Sequence, residues 1–307
     1  MGVTVTRDVI NSVTASVQLT FKEGLALYVG LAWQILATMV PSGQAVEDYA
    51  WLTENPSMRE WVDERVVNSL GENSYTLRNK KFEATIGIGR DVIEDDSLGI
   101  VRLRVLQMAE AAQAHYDELL FDLIATGETA LCYDGLSFYN AAHVVGGTTV
   151  SNLVNLALTA GNLETVISNM GQIKFPNGRP ARVKPTHLLC GPVLDFKARR
   201  LLNSIYAPSH TTTAGDAGLM SNNELKGELE LIVSPHFGSS DEWHVLDCSH
   251  TIKPFILQKR IAVELEAQTD ANASEAAFMR DEYLYGARSR DNAGFGLWQY
   301  ATKSQGG

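Results

Sequence analysis

One stretch limits what this chain can fold into. From Asp95 to Gly127, apolar side chains recur every three or four residues, at Val101, Val105, Met108, Ala112, Tyr116, Leu119 and Leu123. A second row at Leu98, Leu106, Ala109, Leu120 and Ile124 widens the stripe. That period belongs to one amphipathic helix. Asp95, Asp96 and Ser97, after Glu94, supply a cap and negative charge at its start, and Thr126-Gly127 supplies a left-handed stop. At a rise of about 1.5 Å per residue the helix runs roughly 40 Å, far beyond the usual length of about 11 to 12 residues. Such a helix serves as a spine on which other parts are hung.

The parts on either side differ in character. The first fifty residues are rich in Thr, Ser and Val and sparsely charged, and they read as an extended N-terminal arm, with a short helix between Leu25 and Met39 and a break at Pro41-Ser42-Gly43. An arm frays unless something holds it, so neighbouring chains are expected to clamp this one. Glu54 to Glu94 carries six basic and eight acidic residues laced around apolar ones. Within it, Ser57 to Glu60 could cap a short helix carrying Trp61 and Val62, while Arg65 to Leu70 could equally be a strand. Lys81 to Ile88 alternates, with Phe82, Ala84, Ile86 and Ile88 on one face, and Gly71 to Ser74 reads as a turn before Tyr75-Thr76-Leu77. The pattern predicts a long charged hairpin ahead of the spine.

After Gly127 the signals are mixed α and β. Helices are predicted over Leu163–Met170 and from Pro192 to about Leu202. Strands are predicted at 187–190, 229–233, 243–247, 255–257, 261–265, 282–287 and 295–302, with turns at Asp134-Gly135, Gly146-Gly147 and Pro176-Asn177-Gly178 and a loop over 206–218. The fold class is therefore α+β.

Composition narrows the function. A net charge of −11 argues against a protein whose main work is gripping phosphates. Cys132, Cys190 and Cys248 lie far apart with no CxxC spacing, which fits free, mostly buried thiols in a reducing compartment. There is no pattern of a secretory signal or a membrane span, so a soluble, non-exported protein is expected. Gly87-Ile88-Gly89 and Gly294-Phe295-Gly296 lack the third glycine of a nucleotide loop and read as strand bends, and no GxSxG elbow is present. His236, His244, Cys248 and His250 form the best metal candidate, yet their spacing matches no zinc pattern and ordinary strand and loop roles are the simpler reading. Glu94, Asp95 and Asp96 are better explained by the helix start than by a cation, and His115 by packing. No catalytic residue, metal or cofactor is assigned.

The order of parts, together with specific residues, carries a resemblance. The motifs are Tyr49-Ala50-Trp51-Leu52, Met58-Arg59-Glu60-Trp61-Val62, Tyr75 with Asn79-Lys80, Phe82-Glu83-Ala84-Thr85, Ile93-Glu94-Asp95-Asp96 with Gly99, Asp117-Glu118-Leu119, and Cys132-Tyr133-Asp134-Gly135 with Phe138 and His143. Through these the chain resembles the Mu-like phage major head subunit family, of the Hong Kong 97-type capsid fold. The resemblance is specific over residues 49–143 and beyond them is one of element order. One departure is Val144, where the family pattern has proline.

The resemblance implies an arm (1–50), an extended loop (51–94), a peripheral domain (95–126 and 257–290) built on the spine helix, and an axial domain (127–256 and 291–307). It implies that Arg59, Trp61, Arg65, Arg78, Lys80, Lys81 and Glu83 contact a neighbouring subunit. It also implies pentamers and hexamers in a shell that encloses double-stranded DNA without sequence-specific binding, in the virion and, during assembly, in the host cytoplasm. A separate scaffold protein, a maturation protease and a portal are the expected partners, a membrane is not, and the sequence leaves open whether a decoration protein binds. A covalent crosslink through Lys80 or Lys81 would need an activating carboxylate, and the sequence identifies none. The alternatives are an encapsulin-type compartment of the same fold and a cytosolic metalloenzyme using the His236–His250 group.

Overall fold

The computed structural model describes residues 6–27, 32–49, 75–95, 98–175, 178–208, 220–238, 240–270 and 274–307. Its helices are α1 (Arg7–Leu27), α2 (Ala32–Leu36), α3 (Arg90–Glu94), α4 (Leu98–Ala125), α5 (Ala160–Gly171), α6 (Asp195–Asn203) and α7 (Glu275–Arg280). The strands are β1 (Ala37–Pro41), β2 (Val46–Asp48), β3 (Thr76–Arg78), β4 (Lys80–Gly89), β5 (His143–Val145), β6 (Thr148–Val150), β7 (Leu153–Val154) and β8 (His187–Cys190). They continue with β9 (Tyr206–Pro208), β10 (Met220–Asn222), β11 (Glu230–Val233), β12 (Trp243–Leu246), β13 (Phe255–Gln268), β14 (Glu282–Phe295) and β15 (Ala301–Ser304).

Helix α4 spans 28 residues and belongs to two hydrophobic cores. Its N-terminal half places Val101, Val105, Met108 and Ala109 against Val13, Val17 and Phe21 of α1 and against Ile88, Tyr283 and Tyr285 of the sheet below. Its C-terminal half places Tyr116, Leu120, Phe121 and Ile124 in the second, larger core. Along the predicted stripe Val101, Val105, Met108 and Tyr116 are buried, while Ala112, Leu119 and Leu123 are half-buried. The more deeply buried row thus shifts to Leu120 and Ile124 toward the end of the helix, where the surroundings change from one core to the other. Each such side chain contributes about 1.5–3 kcal/mol by leaving water.

The first core lies between α1 and α4 on one side and a four-stranded sheet of order β1-β13-β14-β4 on the other. The second surrounds a five-stranded sheet of order β11-β8-β12-β15-β7, onto which α5 presents Leu163, Val166 and Met170, and α6 presents Ala198 and Leu202. Thr159 caps α5 by accepting the N–H of Asn162 at 3.3 Å. Gly146 and Gly147, both at positive φ, make the two-residue turn of the β5–β6 hairpin.

Several sequence expectations give way here. The extended arm is instead helix α1 over Arg7–Leu27. Its Thr and Val residues have poor helix propensity, but Val13, Val17, Phe21 and Gly24 recur at helical spacing and are buried against α4, and tertiary packing overrides propensity. The charged hairpin between 75–77 and 81–88 does not form. Strand β3 pairs with β2, and β4 pairs along its length with β14, from Lys80 opposite Asp291 to Gly89 opposite Glu282. Residues 80–94, read as part of the extended loop, are thus an edge strand and a short helix of the sheet beneath the spine. The partner is two hundred residues away in sequence, and local alternation cannot reveal it. The strands predicted separately at 255–257 and 261–265 are one strand, β13, with its register shifted near Ile261. Strand β14 likewise runs unbroken to Phe295, and Trp298–Tyr300, predicted as strand, is a turn of 3-10 helix.

The spine ends differently from the prediction as well. Gly127 is not left-handed. A Cβ there would lie 2.6 Å from the Tyr139 ring, so glycine is required by close approach. Asp96 and Ser97 of the predicted cap lie outside the described residues, as do the helix and strand alternatives over 57–70. All three cysteines are free thiols, Cys132 and Cys190 buried and Cys248 half-buried. Among the described residues no helix is long and apolar enough to cross a membrane.

Candidate subunit-contact site

Strand β4 positions the charged residues that the sequence singles out. Alternation turns Phe82, Ile86 and Ile88 toward the helices, where Phe82 meets the His115 ring at 4.1 Å, and leaves Lys81, Glu83 and Thr85 on the opposite face. Arg78, Lys80, Lys81 and Glu83 are all exposed. Arg59, Trp61 and Arg65 lie outside the described residues. Register adds residues that reading along the chain misses: Arg290 stands opposite Lys81, and Arg288 stands opposite Glu83 and also opposite Glu264. Arg288 reaches Glu266 at 3.7 Å. The result is a face of both signs that spans three strands. The Arg-x-Arg alternation at 288–290 was the available signal, but its partner strand was not legible.

Behind this face, the motif residues named above tie remote segments together. The Tyr49 hydroxyl donates to Gln258 Oε1 at 2.6 Å, and the Tyr75 hydroxyl accepts the Phe295 N–H at 3.0 Å. Asn79 donates to Ser42 Oγ and to the Gln44 carbonyl, at 2.9 and 2.8 Å. Asp134 accepts from the Leu136 N–H at 3.0 Å and faces His143 Nδ1 at 2.6 Å, while the His143 ring stacks on Trp298 at 4.0 Å. Burial pushes the Asp134 carboxyl up, but the His143, Cys132 and Leu136 contacts outweigh it and hold the group below the usual carboxylate range. These contacts fix a framework.

The metal candidates disperse into separate contacts. His236 stacks on Phe121 at 4.8 Å, His244 Nδ1 meets the Tyr139 hydroxyl at 3.0 Å, and His250 stacks on Tyr300 with its Nε2 3.3 Å from Asp247. Among the described residues no group of three or more His, Cys, Asp or Glu is arranged to hold a metal ion. His115 likewise packs, with Nε2 3.3 Å from the buried Asp291.

A charged cluster that sequence reading passed over closes the larger core. Lys303, 5% exposed at its side chain, holds Glu128 and Glu242 at 2.9 Å each. The Glu242 carboxyl is drawn down to about 2, by the His244 ring first and by Lys303 next. His244 Nε2 stands 3.7 Å away, beyond hydrogen-bonding reach, so Lys303 is the firmer of the two contacts. The cluster joins the end of the spine segment to the β12 and β15 strands.

A spine helix shared by two cores, an N-terminal helix laid along it, and a long-stranded sheet beside a mixed five-stranded one define a Hong Kong 97-type phage capsid subunit. The structure is similar to the subunit in the procapsid of bacteriophage JBD30, with a TM-score of 0.61 and 30% identity over 98% of this chain and 76% of that one. The chain belongs to the family of the Mu-like prophage major head subunit gpT, which it matches over residues 10–157, 151–237 and 238–307. It is 28% identical over 302 residues to the Mu-like prophage FluMu major head subunit of Haemophilus influenzae, covering 98% of this chain and 75% of that protein. It is 29% identical over 271 residues to the major capsid protein of Escherichia phage Mu, covering 88% of this chain and 65% of that protein. These relatives are phage head proteins, which does not favour the cellular-compartment alternative.

Proposed function

We propose that this major capsid protein of a tailed phage builds a closed icosahedral shell from pentamers and hexamers, and that the shell encloses double-stranded DNA without reading its sequence. The observation that carries the reading is the match to a procapsid subunit over 98% of the chain. The mixed-charge face supports it: a shell repeats heterologous contacts, and interspersed charges of both signs fix their register more than their strength. We assign Arg59, Trp61, Arg65, Arg78, Lys80, Lys81 and Glu83 to contacts with a neighbouring subunit. The extended loop is assigned to the part of 51–94 that precedes strand β4, the peripheral domain to 95–126 and 257–290, and the axial domain to 127–256 and 291–307. The protein acts as structure and not as an enzyme, and its net charge of −11 suits a container that releases its contents.

Assembly takes place in the host cytoplasm, with a separate scaffold protein, a maturation protease, a portal and a decoration protein as partners. Negative-stain microscopy of the chain co-expressed with its scaffold tests the reading. Closed particles are expected; a chain that stays monomeric even then would overturn it.

A further inference from the structure

Three motif residues, Asp134, Phe138 and His143, meet at one buried ring. The His143 side chain is 0% exposed, yet each of its nitrogens stands against an acceptor. Nδ1 lies 2.6 Å from Asp134 Oδ2, and Nε2 lies 3.2 Å from the Phe138 carbonyl oxygen. A neutral imidazole carries one N–H and one lone pair, so it serves only one of these partners and turns its lone pair on the other. An imidazolium serves both.

The surroundings fit a charged ring. Asp134 Oδ1 accepts the Cys132 thiol and the Leu136 N–H, both at 3.0 Å, which leaves Oδ2 to His143. Burial alone would push the Asp134 carboxyl up, but the His143, Cys132 and Leu136 contacts hold it below the usual carboxylate range, so the proton between the two groups sits on nitrogen. Asn152 Nδ2 donates to the Phe138 carbonyl at 2.8 Å and fixes that oxygen where Nε2 meets it. The Trp298 indole lies on the ring at 4.0 Å, tilted by 6°, and an aromatic face favours a cation. The other titratable groups nearby are the Cys132 thiol and the Tyr133 phenol, both pushed up by burial and uncharged. Among the described residues Asp134 is the ion that faces the ring.

We infer that His143 is a buried imidazolium whose second proton locks the segment 127–143, which follows the spine helix, against Trp298. The lock is sensitive to pH. Loss of the Nε2 proton sets a lone pair against the Phe138 oxygen and leaves the half-buried Asp134 carboxylate without a counter-charge. The stability that the lock supplies is present while the ring is charged and is lost as rising pH strips the folded ring of its proton. None of this depends on how subunits meet, so its failure would leave the head-subunit reading standing.

The test is nitrogen-15 NMR of the full-length chain at about pH 7.5, with the His143 signals assigned by their disappearance in His143→Gln. An ordinary histidine titrates near about 6.5 and is charged in about one molecule in ten at that pH, whereas His143 should carry protons on both nitrogens in nearly all, roughly a tenfold excess. Asp134→Asn keeps the shape and removes the counter-charge, so its ring should drop to one proton. A wild-type ring with one bare nitrogen would overturn the inference, and so would a ring that keeps both protons in Asp134→Asn. Should that variant fail to fold, urea midpoints decide: between about pH 7 and 9 the wild-type midpoint should fall further than that of His143→Gln, and parallel profiles would sink the lock.

Discussion

On the spine helix, Asp117 Oδ1 accepts the backbone N–H of Trp33 at 2.8 Å. A carboxylate in the middle of α4 therefore caps α2 from outside, across 84 positions of sequence. Burial pushes the Asp117 carboxyl up, and the Trp33 and Ala32 amides only partly offset that. Asp117→Ala should remove the cap and cost about 1–2 kcal/mol, seen as a lower midpoint in urea. An unchanged midpoint would mean that α2 is held by packing alone.

Among the described residues Lys303 pairs with Glu128 and shares Glu242 with His244. Lys303→Met leaves two half-buried carboxylates facing each other, and breaking such a pair from one side costs about 3–5 kcal/mol. Equilibrium denaturation should show that loss, and a triple variant that adds Glu128→Gln and Glu242→Gln should recover much of it. Without recovery, packing of the lysine stem rather than its charge would be the cause.

Acid should unlock the same cluster. The folded chain holds Glu242 down to about 2 against an ordinary 4.5, so the unfolded chain binds more protons between those values. The stabilisation is present above about 4.5 and drains away as the pH falls toward about 2. Thermal melts across that window should steepen for wild type and flatten for Glu242→Gln. Parallel acid profiles would count against this assignment.

Gly24 lets α1 lie close to α4, since a Cβ there would come within 2.6 Å of Ala109 Cβ. Gly24→Ala gains about 1 kcal/mol of helix propensity and loses about 1–3 kcal/mol to overpacking, so the net should be destabilising. Limited proteolysis should release α1 sooner in this variant, and adding Ala109→Gly should reverse the effect. Equal resistance would show that the helices simply slide apart.

Two neighbouring lysines should behave differently when reversed. Lys81→Glu sets a carboxylate opposite Arg290, a favourable cross-strand pair, so helical content and melting should hold while particle formation is lost. Lys80→Glu sets one opposite the buried Asp291, and like charges directly opposite destabilise, so its melting point should drop. Loss of helical content in Lys81→Glu would contradict the assignment of Lys81 to subunit contact.

The spine helix, the α+β class, most of the short strands after residue 180, and the family through its motif residues are all legible in the sequence. Helical and strand periods are local properties, and Val105, Tyr116 and the 187–190 run display them without help from distant partners. It did not determine α1, although Val13, Val17 and Phe21 carried the spacing, because their Thr- and Ser-rich surroundings have weak propensity until α4 covers them. Nor could it pair Lys80–Gly89 with Glu282–Asp291, since the pairing joins strands nearly two hundred residues apart and rests on a hydrogen-bonded ladder, not on pattern. Tertiary structure alone decided why the motif residues matter. Tyr75 meets Phe295, Tyr49 meets Gln258 and Asp117 meets Trp33, and each contact exists only once the chain has brought its distant segments together.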